Sequence, residues 1–214
     1  IEASPAAKAC IEFSVRGTPT DRDELQRRFI QISSDEGFDI SLQEDTMYRR
    51  CRRLICFDMD STLIQTECID QLAERAGVGD KVKAITERAM RGEIDFNESF
   101  RERVALLKGL DVSVMEEIAE SLPITEGVDR MMRVLKRAGI LSGGFTFFGN
   151  YLKQKFGFDY VYANELEVAD GKLTGHYVGD VVDGKRKAEL LKLIAQVENV
   201  NIAQTIAVGD GAND

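Results

Sequence analysis

The sequence contains no tryptophan and a single histidine among its 214 residues. With His176 alone, a metal site built from several imidazoles and a Ser/His/Asp triad are both poorly supported. We expect His176 to be a solvent-facing or hydrogen-bonded strand residue. The four cysteines form no CxxC pair, so they predict reduced thiols rather than a disulfide framework. Cys56 lies in an apolar run and is expected to be a small buried side chain.

Long apolar runs and positive charge are also scarce. No run approaches the roughly 18 apolar residues of a transmembrane helix, and the segment from Ile1 to Cys10 lacks the basic-then-apolar order of a secretory signal. The formal net charge of −9 would repel a nucleic-acid backbone. We therefore expect a cytoplasmic protein that acts on a small molecule, without nucleic-acid or membrane partners.

The first 50 residues carry the pattern of a β-α-β unit. Residues 9–17 and 38–42 alternate as strands do, and residues 20–34 have helical spacing. The basic run at 49–53 then predicts a solvated linker, with an anion site as the alternative. A domain boundary is expected near residue 50.

Beyond residue 53, short apolar strands alternate with helices. Residues 54–57 suit a strand that is covered on both faces, whereas residues 67–122 show helical spacing without strand signals. This order predicts an α/β fold with a Rossmann-like parallel sheet core and a small helical cap insertion. The expected domains are a first domain at 1–50, a core at 51–70 and 123–214, and a cap at 71–122.

The second strand of this core looks too short. A helix is predicted from Val128 to Ala138 with Gly139 as its C-terminal stop, which leaves two apolar residues before Ser142. A strand that crosses a covered sheet needs about five residues. We therefore expect residues to be absent between Gly139 and Ser142.

Three polar clusters each follow a short apolar strand, and they should converge because ligands of parallel sheets gather at the carboxyl ends of the strands. The clusters are Asp58-x-Asp60-x-Thr62, Ser142-Gly143-Gly144 and Gly209-Asp210-Gly211-x-Asn213-Asp214. Carboxylates from separate strands repel unless a cation neutralises them, and oxygen ligands suit Mg²⁺. Since Mg²⁺ commonly shares its ligands with a phosphate, a phosphorylated substrate is also predicted.

The spacing Asp58-x-Asp60 directs two carboxylates the same way, so that one can attack phosphorus while the other handles a proton. Ser142 and the N–H of Gly143, with a cation, would surround the phosphoryl oxygens. Taken singly, Asp60 could be a helix N-cap and Gly-Asp-Gly a turn. Their joint occurrence, each after a strand, indicates a catalytic site.

From about residue 53 to the end, the sequence resembles the phosphoserine phosphatases of the haloacid dehalogenase superfamily. The resemblance is carried by FDMDSTL at 57–63, LSGGF at 141–145, ANE at 163–165, DGKLTG at 170–175 and VGDGAND at 208–214. It implies Mg²⁺-dependent hydrolysis of O-phospho-L-serine to L-serine and phosphate through an aspartyl-phosphate intermediate, the last step of serine biosynthesis.

The resemblance also implies residue roles. Asp58 would be the nucleophile, and Asp60 would protonate the departing serine oxygen and then activate water. Mg²⁺ would be held by Asp58, the backbone carbonyl of Asp60, and Asp210. Glu67 and Arg103 would face the substrate's ammonium and carboxylate, which is a sensible way to recognise a zwitterion.

The remaining implied contacts lie around the phosphate and in the cap. Lys187 would be the phosphate cation and Asn213 a further substrate contact, with Asp214 in support. Met90 and Phe96 would cover the substrate, and closure of the cap would exclude bulk water.

Simpler interpretations stay open for three of these residues. Glu67 could be a helix first-turn acid, Arg103 a surface arginine, and Lys187 part of a solvated charge run. Two other functions also stay open. One is a phosphatase or phosphotransferase for another small phosphate, such as phosphoglycolate or phosphohomoserine. The other is a non-catalytic amino-acid sensor that uses residues 1–50.

The first 45 residues resemble the later half of a ferredoxin-like, ACT-type domain, which senses amino acids or dimerises in related phosphatases. A homodimer through this segment is therefore one possible arrangement. Half of such a unit cannot bury both sheet faces, so further chain is expected before Ile1. The sheet strand that should follow Asp214 is likewise expected beyond it.

Overall fold

A computed structural model describes residues 9–211 of the chain. The chain divides into two units, of which the first ends at Asp45 and the second begins at Thr46. Among the described residues, none of the helices has the length and apolar character that crossing a lipid bilayer requires.

Within residues 9–45, the first unit contains one helix, α1, from Arg22 to Glu36. The Asp21 side chain accepts a hydrogen bond from the N–H of Glu24 at 2.9 Å, which satisfies one free N–H group at the start of the helix. Gly37 ends the helix in the left-handed region, at φ 71°. The helix predicted at 20–34 is thus confirmed, although none of its residues is buried.

The two strands predicted beside α1 are wrong, since residues 9–17 and 38–42 form no β-ladder in the described structure. Ile11, Phe13 and Val15 have exposed fractions of 76%, 79% and 73%. Alternating apolar residues specify a face for a strand, but the ladder hydrogen bonds must come from a neighbouring strand. The ACT-type assignment is therefore not confirmed.

The second unit is built on a five-stranded sheet of order β4-β3-β2-β1-β5. Strands β1, β2, β3 and β5 are parallel, and β4 is an antiparallel edge strand. The strands are β1 Leu54–Phe57, β2 Ala138–Phe145, β3 Tyr160–Ala169, β4 Lys172–Val178 and β5 Thr205–Val208. The α/β fold with a mostly parallel sheet is confirmed, and His176 is an exposed residue of β4, as expected.

Helices connect these strands, and five of them lie between β1 and β2, where the sequence predicts a helical cap at 71–122. They are α2 Cys68–Arg75, α3 Gly79–Met90, α4 Phe96–Ala105, α5 Ser113–Glu120 and α6 Val128–Met132. After β2 come α7 Thr146–Phe156 and α8 Gly184–Val197, and a short 3-10 helix, Ile202–Gln204, precedes β5.

The sheet is covered on both faces, as the apolar run at 54–57 predicts. Phe57 and Ile140 belong to the larger core, while Leu54, Cys56 and Leu141 belong to the smaller core under α8. Successive strand residues point to opposite faces, which explains this division. Burial raises the pKa of the Cys56 thiol to about 12, which fits an inert core residue.

The basic run at 49–53 belongs to the second unit. The guanidinium of Arg52 donates to the carbonyl oxygens of Ala203 and Thr205, and the side-chain amide of Gln204 donates to the carbonyl of Cys51. These contacts tie the start of β1 to the start of β5. The Arg52 guanidinium therefore binds backbone carbonyl groups, and these contacts do not indicate an anion site.

Strand β2 differs from its prediction. Helix α6 ends at Met132, and β2 begins at Ala138, so Gly139 lies within the strand and pairs with Cys56 and Tyr160. Pairing on both sides outweighs the helical spacing of residues 133–138. The strand therefore has eight residues, so its length no longer argues for absent residues before Ser142.

Gly139 has little room for a side chain, and this supports a test of its strand placement. A Cβ there would lie 3.2 Å from Cys56 Sγ and 3.4 Å from Tyr160 Cβ. Gly139→Ala should therefore lower the free energy of unfolding by about 1 kcal/mol or more, measured by urea denaturation.

Gly79→Ala is the control, because a Cβ there would meet Glu74 Cγ at an ordinary 3.7 Å. Equal stability of the two alanine variants would contradict the packing of Gly139 in the sheet.

Candidate active site

The polar clusters meet at a cavity of about 300 Å³ beyond the carboxyl ends of β1, β2 and β5. Asp58 and Asp60 follow β1, Ser142 and Gly143 lie near the end of β2, and Asp210 follows β5. The N–H of Asp58 donates to the carbonyl of Val208 at 2.8 Å, which holds the ends of β1 and β5 together. Parallel pairing thus brings acids from distant parts of the sequence to one place.

A buried ion pair lies in this cavity. Lys187 Nζ is 3.0 Å from Asp58 Oδ1, and each side chain is only 9% exposed. Lys187 is on α8, and its neighbours Lys185 and Arg186 are exposed. The alternative reading of Lys187 as a solvated charge is therefore wrong.

Asp60 is buried beside the ion pair. Its Oδ2 accepts a hydrogen bond from the N–H of Cys68 at 3.3 Å, and its Oδ1 is buried without a hydrogen-bond partner among the described residues. Burial, and then the negative charge of Glu67, raise the pKa of Asp60 from 3.8 to about 7. A carboxyl group of this kind can hold and release a proton near neutral pH.

The N-cap alternative for Asp60 is realised only in part. Helix α2 begins at Cys68, after Glu67, so Asp60 is not the residue that precedes the helix. It nevertheless accepts the N–H of Cys68, the first residue of that helix. The same carboxyl group thus anchors α2 and faces the cavity.

Glu67 lines the cavity at the start of α2, where its side chain makes no capping hydrogen bond. Its Oε1 accepts a hydrogen bond from Ser61 Oγ at 2.6 Å. Burial, together with the charges of Asp70, Asp58 and Asp210, raises the pKa of Glu67 despite that bond. Its carboxylate therefore faces the cavity, and not the helix N–H groups.

Arg103 reaches the cavity from α4. Its Nε donates to the carbonyl of Ser99 at 3.3 Å, and no ion pair within 4.0 Å is formed by Arg103 among residues 9–211. Burial lowers the pKa of Arg103, while the charges of Asp70, Glu67 and Asp60 act in the opposite direction. Its guanidinium is thus partly buried and close to the cavity.

Of the two cap residues that the family pattern implies, the structure brings only one to the cavity. Phe96 lines it, whereas Met90 is 84% exposed and does not. The placement of Met90 over the substrate therefore stays a prediction. Asn213 and Asp214 lie outside the described residues.

The Ser-Gly-Gly segment of β2, residues 142–144, forms the floor of the cavity. Ser142 is fully buried, and its Oγ accepts a hydrogen bond from the N–H of Gly144 at 3.0 Å. A Cβ on Gly144 would lie 2.8 Å from Met59 Cε and 2.9 Å from Asp60 Oδ2. The sequence analysis places Gly144 in this cluster without giving it a role, although the repeated glycine is a signal of close approach.

Two other buried residues were also missed. The buried Cys68 contacts Asp60, and burial together with that charge raises the pKa of its thiol well above the usual range. Asn164 is a polar residue inside β3 with an exposed fraction of only 2%. A polar side chain within a covered strand was the available signal.

The donors in the cavity suit a hard cation. Asp58, Asp60 and Asp210 line it and carry oxygen donors, and its lining among residues 9–211 contains neither histidine nor cysteine. Within the described part of the chain, no group of three or more His, Cys, Asp or Glu side chains is arranged to hold a metal. Mg²⁺ does not require such a group, because it keeps several waters and binds through one or two carboxylates. The residues present therefore fit Mg²⁺.

A family model for haloacid dehalogenase-like hydrolases matches residues 55–214, which include every side chain of this cavity. The chain belongs to this family. The predicted resemblance to the superfamily is thereby confirmed.

Curated relatives within this family are phosphoserine phosphatases. The Archaeoglobus fulgidus protein is 47% identical over 95% of this chain and 60% of its own length. The Methanocaldococcus jannaschii protein is 46% identical over 76% of this chain and 79% of its own length. The chain spans 50–60% of the length of several other relatives that it matches.

A solved, substrate-bound phosphoserine phosphatase has a similar structure. The TM-score is 0.71 at 44% sequence identity, and the match covers 76% of this chain and 80% of that one.

The raised pKa of Asp60 predicts a pH-dependent stability difference in the chelator-treated chain. The protonated form of Asp60 favours the folded state. Its contribution to the free energy of unfolding is fully present below about pH 4 and is lost as the pH rises through about 7. Asp60→Asn has no such loss. The free energy of unfolding of Asp60→Asn, minus that of the wild type, should therefore increase from pH 4.5 to pH 8 by on the order of a few kcal/mol.

Chemical denaturation at both pH values measures this difference. Exposed Glu126→Gln serves as the control, for which we expect the same difference from wild type at both pH values. An Asp60→Asn difference that does not grow with pH would contradict the buried, protonated carboxyl.

Proposed function

We propose that this chain hydrolyses O-phospho-L-serine to L-serine and phosphate, with Mg²⁺ as cofactor, as the last step of serine biosynthesis. The observation that carries the proposal is the cavity that contains Asp58, Asp60 and Lys187 together with Glu67 and Arg103. Its volume of about 300 Å³ suits a small substrate. The phosphoserine phosphatases among its relatives support the same choice.

Asp58 is the nucleophile in this proposal. Its carboxylate oxygen forms a bond to phosphorus as the bond between phosphorus and the serine oxygen breaks. Lys187, 3.0 Å from Asp58 Oδ1, lies where it can also attract the phosphoryl oxygens. Ser142 and the N–H of Gly143 bind those oxygens from the floor of the cavity.

Asp60 transfers the protons. Its raised pKa lets it give a proton to the departing serine oxygen, which leaves an aspartyl phosphate on Asp58. The ionised Asp60 then takes a proton from water as the water oxygen attacks phosphorus. The bond between phosphorus and Asp58 breaks, phosphate leaves, and both carboxyl groups return to their starting states.

Mg²⁺ would be held by Asp58, Asp210 and the backbone carbonyl of Asp60, and would supply positive charge beside the reacting phosphate. Burial, and then the charges of Asp70, Asp58 and Asp210, raise the pKa of Glu67. This mutual repulsion supports a cation among them.

Glu67 and Arg103 select the amino-acid part of the substrate. They carry opposite charges and line the same cavity, so the first can bind an ammonium group and the second a carboxylate. The aromatic rings of Phe96 and Phe100 line it as well, and they limit the access of water.

The ACT-type identity of the first 45 residues, and a homodimer formed through them, also stay proposals. The exposed side chains of Ile11 and Phe13 are the observation in their favour.

The nucleophile is tested by phosphate release from O-phosphoserine with and without Mg²⁺. Asp58→Asn should lower the rate by about 1,000-fold or more, because an amide cannot form the acyl phosphate. Asp80→Asn, an exposed site on α3, is the control and should keep the wild-type rate. Release that depends on neither Mg²⁺ nor Asp58 would favour the non-catalytic sensor.

Substrate choice is tested at Arg103. Arg103→Met should raise the KM for phosphoserine by about 10- to 100-fold, because a charge-assisted hydrogen bond to the carboxylate is lost. Hydrolysis of p-nitrophenyl phosphate, which has no carboxylate, should change little. The exposed neighbour Arg101→Met provides the matched control. Equal effects on both substrates would point to a different small phosphate.

A further inference from the structure

Asn164 is a buried polar side chain that the proposed chemistry does not use. Its Nδ2 donates to the carbonyl of Gly143 at 2.7 Å, and its Oδ1 accepts from the N–H of Val182 at 2.8 Å. Both ends of the amide are therefore occupied by backbone groups. Gly143 belongs to the floor of the cavity, and Val182 belongs to the wall before α8.

The first contact replaces a missing part of the sheet. Leu141 pairs with Tyr162 and Phe145 pairs with Asn164, so four steps along β2 match only two along β3. The ladder is therefore interrupted between Leu141 and Phe145. The Asn164 side chain supplies a hydrogen bond to the Gly143 carbonyl within that interruption.

This bond fixes the peptide between Gly143 and Gly144. A peptide unit is planar, so its carbonyl and N–H groups are oriented together. The carbonyl is held by Asn164, and the N–H donates to Ser142 Oγ at 3.0 Å. Since Ser142 Oγ accepts here, its single hydroxyl hydrogen is free to point to a different acceptor. Ser142 lines the cavity, where a phosphoryl oxygen would be that acceptor.

The second contact fixes the approach to α8. Val182 precedes Asp183, whose side chain accepts the N–H of Arg186 at 2.8 Å and whose carbonyl accepts the N–H of Lys187 at 2.8 Å. The bond from Val182 to Asn164 thus holds the helix start from which Lys187 reaches Asp58.

The floor at Gly143 and the wall at Val182 lie close together. A Cβ built on Gly143 would lie 3.5 Å from the carbonyl oxygen of Val182. A small movement of the floor or of this wall would therefore change the distance between Ser142 and Lys187. Asn164 is the side chain that bonds to both.

We propose that Asn164 is a positioning residue that holds Ser142 and Lys187 at the spacing required by a phosphate group. This inference rests on the proposed function, because it takes the cavity to be the phosphate site. Loss of Asn164 would weaken the binding of the phosphate group, whichever molecule carries it.

The test compares the binding of inorganic phosphate to the 214-residue chain and its variants, by calorimetry in Mg²⁺ buffer. Asn164→Leu keeps a similar volume but removes both hydrogen bonds, and it should weaken phosphate binding by tenfold or more. Leu166→Ala, at a buried site on the same strand, is the matched control. It should lower the melting temperature while the phosphate affinity stays at the wild-type level.

Asn164→Asp separates positioning from folding. Its carboxylate can still accept the Val182 N–H, but it repels the Gly143 carbonyl unless it is protonated. The affinity for phosphate, divided by the wild-type value at the same pH, should therefore be lower at pH 8 than at pH 5.5. This variant also decides the question if Asn164→Leu does not fold.

The inference is overturned if Asn164→Leu binds phosphate as tightly as the wild type. It is also overturned if Leu166→Ala loses as much affinity as Asn164→Leu, or if the Asn164→Asp ratio is independent of pH. A wild-type chain that binds phosphate but releases none from phosphoserine would reject the proposed function and leave the role of Asn164 standing.

Discussion

The repulsion between carboxylates in one small cavity is the constraint on which this structure depends. Asp58, Asp60, Glu67 and Asp210 all line the same space. Three responses to the repulsion are open to this site: the Lys187 contact with Asp58, the raised pKa of Asp60, and a divalent cation of the kind that the oxygen donors suit. Each of these responses also has a role in the proposed chemistry. The arrangement that reduces the repulsion is therefore the one that the proposed reaction would use.

The sheet imposes this crowding. Strand β1 pairs with β2 on one side and β5 on the other, both in parallel, so the segments that follow the three strands emerge at one edge. The bond from the Asp58 N–H to the Val208 carbonyl extends the pairing by one residue into the site. The acids therefore cannot move apart without breaking the ladder that holds the centre of the fold.

The sequence predicted the site better than it predicted the connections around it. The run at 54–57 and the motifs after the strands depend on local spacing, and the structure brings Asp58, Ser142 and Asp210 to one cavity. Helical spacing before Gly139 was misleading, because pairing with Cys56 and Tyr160 takes that residue into β2. In residues 9–17, alternation predicted a strand for which the described structure contains no partner.

The role proposed for Asn164 could not be predicted from spacing. It depends on hydrogen bonds to the backbone of Gly143 and Val182, and on an interruption of pairing between β2 and β3. The identity of one side chain does not reveal such bonds. A polar residue among apolar ones inside a covered strand indicates only that some partner must exist.

The two sides of the cavity differ in how readily their residues can be substituted, because there is no space above Gly144. On the floor, even a methyl group on Gly144 would collide with Met59 and Asp60, so Gly144 cannot be substituted unless those side chains move. The helical wall that carries Phe96 and Arg103 has no such restriction, since Phe96 is still 40% exposed. New specificity, whether arising by evolution or by engineering, would therefore come from the wall, while the floor that the proposed reaction uses stays unchanged.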